Sequence, residues 1–318
     1  VDGGTIKLDG NYPVGTGNLA LGDAALNGSI SGIYNTAIGS FSMTPLTSGG
    51  QNTALGASAL RFITTGSYNT AIGMESLQTN TTASYNTAVG YQALYFNTTG
   101  ASNVGIGYRA NFSGVTANNN TAVGFIALSN NTAAANSAFG TSALAANTTG
   151  TENQAFGQNA LTSNTTGSAN SGFGQATLFS NTTGENNTAI GYRSLFYNTT
   201  ASYNTANGYQ ALHNNTTGAS NTANGYLALN ANTTASYNTA VGFSALTANT
   251  TADHNTAVGH NALTSNTTGF QNTAVGSGAG TAITTGDTNV AVGAAALDAL
   301  VTGDNSTAVG RDALGATT

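Results

Sequence analysis

The sequence predicts an all-β chain, a parallel β-solenoid or β-roll wound from 17-residue coils. A strict repeat, the length of its unit and the residues at its apolar places carry that expectation. The Asn that opens each NTAVG-like string, taken as place 1, falls at Asn18, Asn35, Asn52, Asn69, Asn86, Asn103 and Asn120. After one step of 16 residues the series runs on from Asn136 and Asn153 to Asn289, and Ser306 opens the last of 18 units. Place 5 is Gly throughout, and place 9 is Leu in fifteen units, the exceptions being Met43, Asn111 and Gly280. Places 12 to 15 commonly read NTTG or NTTA, as in Asn97-Thr98-Thr99-Gly100. A short fixed period is the mark of stacked units that bury their apolar sides on one another.

The unit length selects among repeat folds. Seventeen residues cannot hold two helices and a turn, which need about 33. One helix per unit is disfavoured because Gly, Asn and Thr are abundant while Glu, Lys and Arg are scarce. Two short strands and two turns fit. Stacked at about 4.8 Å, eighteen such coils would form a rod of roughly 85 Å. The Asn and Thr columns would then become ladders bonded to the coils above and below. Residues 1–17 precede the repeat and read as an N-terminal cap or attachment segment. Residues 18–318 are the repeat array, with its last unit incomplete. Opening on Val1 and stopping inside a unit, the chain reads as a segment of a longer protein.

Inside a coil, places 3 and 4 are adjacent and both apolar, as in Ala88-Val89, Ala155-Phe156 and Ala189-Ile190. Neighbouring strand residues point to opposite faces, so such a pair implies a strand covered on both sides. One face can meet Leu of place 9 across the narrow interior. The other needs a second surface that a 17-residue coil does not have, which points to association between chains. The competing expectation is a monomer wide enough to enclose both faces.

Composition removes several classes of function. Charged residues are 5% of the chain, against about 25% in ordinary soluble domains. Eleven acidic and five basic residues give a net charge of −6, which leaves no basic groove for nucleic acid. No cysteine is present, so disulfides, thiolate metal sites and a Cys nucleophile are excluded. No apolar run is long enough for a membrane helix. The ionisable groups needed for catalysis are too few and too scattered, and the expectation is a non-enzyme without cofactor or metal. Gly276-Ser277-Gly278-Ala279-Gly280 lacks the Lys and following helix of a nucleotide loop.

Strings such as Asn86-Thr87-Ala88-Val89-Gly90, followed by a Gly-containing turn, resemble the head repeats of trimeric autotransporter adhesins, which carry a similar N-S-V-A-I-G signature. The stretch Gly3-Gly4-Thr5-Ile6-Lys7-Leu8-Asp9-Gly10, with the repeats after it, also resembles fibre proteins of tailed bacteriophages, notably marine ones. Repeat similarity covers about residues 18 to 318, and the unit here is longer than the adhesin one. The resemblance implies a homotrimer, three chains forming a left-handed β-roll, intertwined or side by side, with inner strands on the threefold axis. It places Val89, Val123, Phe139, Phe156, Phe173, Ile190, Val241 and Val258 of place 4 on that axis. No neck, stalk or anchor of the adhesin type is visible, which favours the phage reading.

Departures from the repeat supply the remaining candidates. Asn207 and Asn224 replace the apolar residue of place 4 in consecutive coils. On a threefold axis they would bring six amides together, holding an ion or water, or fixing chain register as a buried Asn does in a coiled coil. Tyr91, Tyr108, Tyr192, Tyr209 and Tyr226 at place 6 either stack on sugar rings of a cell-surface polysaccharide or pack between coils. Place 17 adds Tyr34, Tyr68, Tyr85, Tyr203 and Tyr237. His213, His254 and His260 share no column, and no third ligand joins the last two. Asp253, Asp287 and Asp304 share place 16, too few oxygens for Ca²⁺ without backbone help. The Asn-Thr-Thr strings match the N-glycosylation pattern, which reads as a by-product of the ladder. The 16-residue unit should shorten one turn and leave the strands alone, and the unit from Asn103 is irregular at Asn111 and Phe112.

The leading expectation is the structural shaft of a trimeric virion fibre that projects a receptor-binding tip for host attachment. Its partners would be its own copies, other fibre or baseplate components, and a host cell-surface glycan. A trimeric adhesin on a bacterial outer surface is the alternative, and an ice-binding solenoid the minor one.

Overall fold

The computed structural model describes residues 16–27, 30–299 and 301–315. The cap expected at 1–17 therefore lies outside the described residues, save Thr16 and Gly17. The chain divides into two compact units, Val1–Asn153 and Gln154–Thr318. The first contains strands β1 (Leu19–Leu21) to β8 (Ser137–Phe139), and the second β9 (Gln154–Phe156) to β18 (Thr307–Val309). Inside each unit every strand pairs in parallel with the next, place upon place. Thr87 thus faces Val104 and Val89 faces Ile106 in the first unit, and Thr188 faces Thr205 in the second. The chain is an all-β solenoid whose coil is the 17-residue repeat.

Each coil contains one strand of three residues at places 2 to 4, where the sequence suggested two. The reason lies in the Ala-Leu pair at places 8 and 9. Ala93 and Leu94 are both fully buried, and consecutive residues of a strand cannot face the same way. The backbone instead takes left-handed φ on either side of Ala93, 54° at Gln92 and 53° at Leu94, which turns both side chains inward. The pattern repeats, as at Arg193 and Leu195 (φ 53° and 52°). Burying a Leu stabilises by about 1.5–3 kcal/mol. Left-handed placement costs about 1–2 kcal/mol per residue, so the two in each turn offset most of the Leu burial, and the buried Ala and the main-chain bonds between coils supply the remainder.

The interior consists of Ala at places 3 and 8 and Leu at place 9, flanked by two buried Asn columns. A methyl built on Gly105, at place 3, would lie 3.0 Å from Leu94 Cγ of the preceding coil, which shows how closely the two sides meet. Gly172 replaces Ala at place 3 where Thr177 replaces Ala at place 8. A methyl on that glycine would come within 2.7 Å of the Thr177 hydroxyl. Small and large are exchanged within one coil to keep the same volume.

Place 1 Asn closes the coil. The Asn86 amide donates to the Gly100 carbonyl at 2.9 Å, and its Oδ1 accepts the Asn103 N–H of the next coil at 2.9 Å. Place 12 Asn converges on the same carbonyl, Asn97 Nδ2 reaching Gly100 O at 2.9 Å. Place 12 also forms an amide ladder in the second unit, Nδ2 donating back to the previous Oδ1. Asn181 to Asn164, Asn198 to Asn181 and Asn232 to Asn215 each measure 2.8 Å. Thr at place 13 bonds to main chain, Thr98 Oγ1 donating to Val115 O at 3.0 Å. The buried backbone at this corner is thereby satisfied without a second sheet.

The short unit behaves as its sequence suggests. Thr121 still faces Ser137 in register, and Asn136 N–H still donates to Asn120 Oδ1 at 2.9 Å. Only the turn changes. Asn131 Nδ2 reaches the carbonyl two residues on, Ala133, at 2.7 Å, where other coils span three.

Candidate functional site

The strand alternation sends Ala of place 3 inward and the residues at places 2 and 4 outward. Places 17 and 6 continue the outward series on either side. Ala88 and Ala189 are fully buried, whereas Ile72, Ile106 and Ile190 at place 4 are 37%, 38% and 42% exposed. Of the place 4 residues singled out from sequence, Val89, Val123, Phe139, Phe156, Val241 and Val258 are half-buried, and Phe173 and Ile190 are exposed. None lies in the chain's own interior. The monomer that encloses both faces is thus excluded: the solenoid closes around place 3 and leaves place 4 outside. Places 2 and 4 carry no charged residue in any of the 18 units.

Asn207 and Asn224 sit in this outward column, both exposed, with Asn207 Nδ2 donating to Asn224 Oδ1 at 3.3 Å. Their neighbours in register are Ile190 on one side and Val241 on the other. Two amides thus interrupt an apolar stripe and bond to each other along it.

The place 6 tyrosines are brought together as stacks. Tyr91 lies on Tyr108 at 5.6 Å and Tyr108 on Phe125 at 5.1 Å between ring centroids. In the second unit Tyr192, Tyr209, Tyr226, Phe243 and His260 follow one another at 4.9–5.4 Å. Interplanar angles of 8–21° make these face-to-face stacks. A sugar needs a ring face, and inside a stack both faces of each ring are covered by the adjacent coils. What the columns present outward is ring edges and hydroxyls.

The three histidines lie against aromatic rings of the preceding coil rather than against each other. His254 lies on Tyr237 at 5.0 Å, His260 on Phe243 at 5.3 Å, and His213 on Phe196 at 5.3 Å with Tyr197 edge-on. No group of three or more His, Cys, Asp or Glu able to hold a metal occurs among the described residues.

The place 16 carboxylates bond to main chain instead. Asp253, Asp287 and Asp304 each accept the N–H of place 16 one coil back, from Ser236, Phe270 and Asp287 at 2.7–2.9 Å. Ser84 and Ser202 serve the same N–H position in other coils, a role the sequence reading missed. The signal was the run of oxygen-bearing side chains at that place.

The Asn of the glycosylation-like strings is buried to 0% exposure at Asn97, Asn164 and Asn249, its amide donating to the main-chain carbonyl three residues on. A glycosyl acceptor must be accessible, so these strings are packing elements. Among the described residues no helix is long and apolar enough to cross a membrane. Compared with known proteins, the chain matches no protein-family model and none of the curated proteins.

Proposed function

We propose that this chain is the shaft of a homotrimeric fibre, of the kind that projects a receptor-binding tip from a bacteriophage particle. The single observation that carries the reading is the uncharged, half-exposed stripe at places 2 and 4, repeated in all 18 coils around an interior that is already closed. With the columns at places 17 and 6 on either side of it, the outward face spans about 20 Å of chain, and ten coils at about 4.8 Å offer on the order of 900 Å² per copy. A standard protein–protein interface buries about 800 Å² per partner, so one unit suffices. The function is mechanical: ladders of amides and main-chain bonds hold the coils, and association covers the stripe. The choice of a virion over a bacterial surface rests on the resemblance of the repeats and of the N-terminal stretch to phage fibres.

Solution mass tests the reading. A value near 94 kDa, three times 31.4 kDa, is expected from light scattering or sedimentation. A mass near 31.4 kDa would overturn it. That outcome would leave the Thr of place 2 and the Val of place 4 facing water side by side. The regular Thr-x-Val array then favours the ice-binding reading, for which thermal hysteresis is the readout.

A further inference from the structure

We infer that Asn207 and Asn224 fix the axial register in which copies of this chain associate. The inference rests on the fibre reading above and adds the residues that determine specificity within it. Every coil presents nearly the same outward stripe, so a copy shifted by one or several coils would meet almost the same apolar surface. Place 2 is mostly Thr and place 4 mostly Val, Ile or Leu, which gives a shifted pair little to reject outside the Phe139–Phe173 coils. A repetitive face needs a marker, as flat strands without one are prone to slip.

The occupant of the stripe is a second copy for three reasons. Its places repeat at the spacing of the parallel strands, and a partner that matches them coil by coil must carry the same period. Places 2 and 4 bear no charge, so copies of a chain with net charge −6 can bring these faces together without repulsion. The outward face from place 17 to place 6, on the order of 900 Å² in one unit, is about the size that a standard interface buries per partner.

In this setting the two Asn act through what they cannot tolerate. Their amides already bond to each other along the column, Nδ2 to Oδ1 at 3.3 Å, which leaves Asn207 Oδ1 and Asn224 Nδ2 to be met across the interface. In register, identical amides from the other copies meet them. Shifted by two coils or more, both amides face Val, Ile or Phe, and a polar group buried without a partner is strongly disfavoured. The Phe156–Phe173 stack two coils earlier, 4.9 Å between centroids, adds a change of volume but no such penalty, because apolar surfaces repack. A single a-position Asn sets coiled-coil register by the same logic.

The chain has no cysteine, which makes the test direct. Val241→Cys and Val258→Cys chains, one coil apart at place 4, are mixed, refolded together and oxidised. Like-with-like disulfides report the native register, and mixed disulfides report a slip of one coil. A second pair, Val241→Cys with Val275→Cys, reports a slip of two. With Asn207 and Asn224 intact, like-with-like products are expected almost alone. In the Asn207→Val/Asn224→Val background, mixed products should rise to a fraction comparable with the like pairs. Ile190 and Val241 occupy place 4 in the coils on either side, so an apolar β-branched residue fits there and folding is preserved, and circular dichroism with solution mass checks it. A trimer whose double variant still gives only like pairs would overturn the register assignment and leave the fibre reading standing. A monomeric parent chain would overturn the fibre reading itself.

Discussion

At the residue scale the coil is governed by where amides find partners. The place 12 ladder has a direction, Nδ2 donating to the preceding Oδ1 as at Asn181 and Asn198, so its breaks leave acceptors unmet, and Asn80 Oδ1 is unmet as well although Asn97 follows it. Asn266 Oδ1 is unpartnered where Ile283 follows at place 12, and Asn97 Oδ1 where Gly114 follows. In the Gly114 coil the Leu of place 9 is replaced by Asn111, fully buried, with neither amide atom hydrogen-bonded. Its Oδ1 leans over Gly114, 2.8 Å from where a β-carbon would stand. An Asn has in effect been moved from place 12 to place 9 without its partners. Each unmet buried polar group costs about 1–3 kcal/mol. Asn111→Leu combined with Gly114→Asn rebuilds the coil on the pattern of its neighbours. It should stabilise the chain by about 2–4 kcal/mol on that basis, read as a higher midpoint in chemical denaturation with the same slope.

At the scale of the element, the turn from place 5 to place 11 governs the coil more than the strand does. Gly90 at place 5 has φ 130°, and a β-carbon there would sit 2.6 Å from the Gly107 carbonyl oxygen of the next coil. Conformation and clearance both demand glycine. Gly90→Ala should therefore destabilise by at least about 2–3 kcal/mol. Amide exchange should show the loss centred on the coils from Asn86 and Asn103, and uniform protection there would refute this account. Much of the element was legible in advance. Invariant Gly at place 5 signalled the turn, and Ala88-Val89 signalled the strand. The left-handed Leu was not legible, because Leu at φ near 50° is contrary to its own preference and is imposed by the buried interior. The second strand was expected for that reason. His254 and His260 were placed on separate columns from the sequence, but their stacking on Tyr237 and Phe243 emerged only when equivalent places were superposed by the coil.

At the scale of the whole molecule, electrostatics contributes little to holding the chain together. The ion pair among the described residues, Arg311 with Asp312 at 3.4 Å, is exposed on both sides. Arg61, Arg109 and Arg193 instead lie over aromatic rings, Arg109 at 4.6 Å from the Phe112 centroid. Exposed pairs of this kind contribute about 0–1 kcal/mol and are screened by salt. The melting temperature should accordingly change by no more than a few degrees between dilute and molar sodium chloride. A marked fall would mean that charge holds the coils in some way this geometry omits. The outward stripe, by contrast, was legible at this scale from Ala155-Phe156 and its equivalents, because an apolar pair in so narrow a coil has only one side to close upon. The amide pair in that stripe was legible too, since Asn207 and Asn224 break a column that is otherwise apolar.

The coil shortened by one residue between Asn120 and Asn136 bears on how such a chain changes over generations. Its strand, its amide contacts and its place in the stack survive the loss, so the corner absorbs an error in copying that would ruin most β-structures. Units alike enough to stack are also alike enough, as genes, to misalign and recombine. Gain or loss of a whole unit would then add or remove one step of about 4.8 Å without any new packing problem to solve. Length becomes a heritable quantity that can drift in small equal increments, while the chemistry of every coil stays as it was.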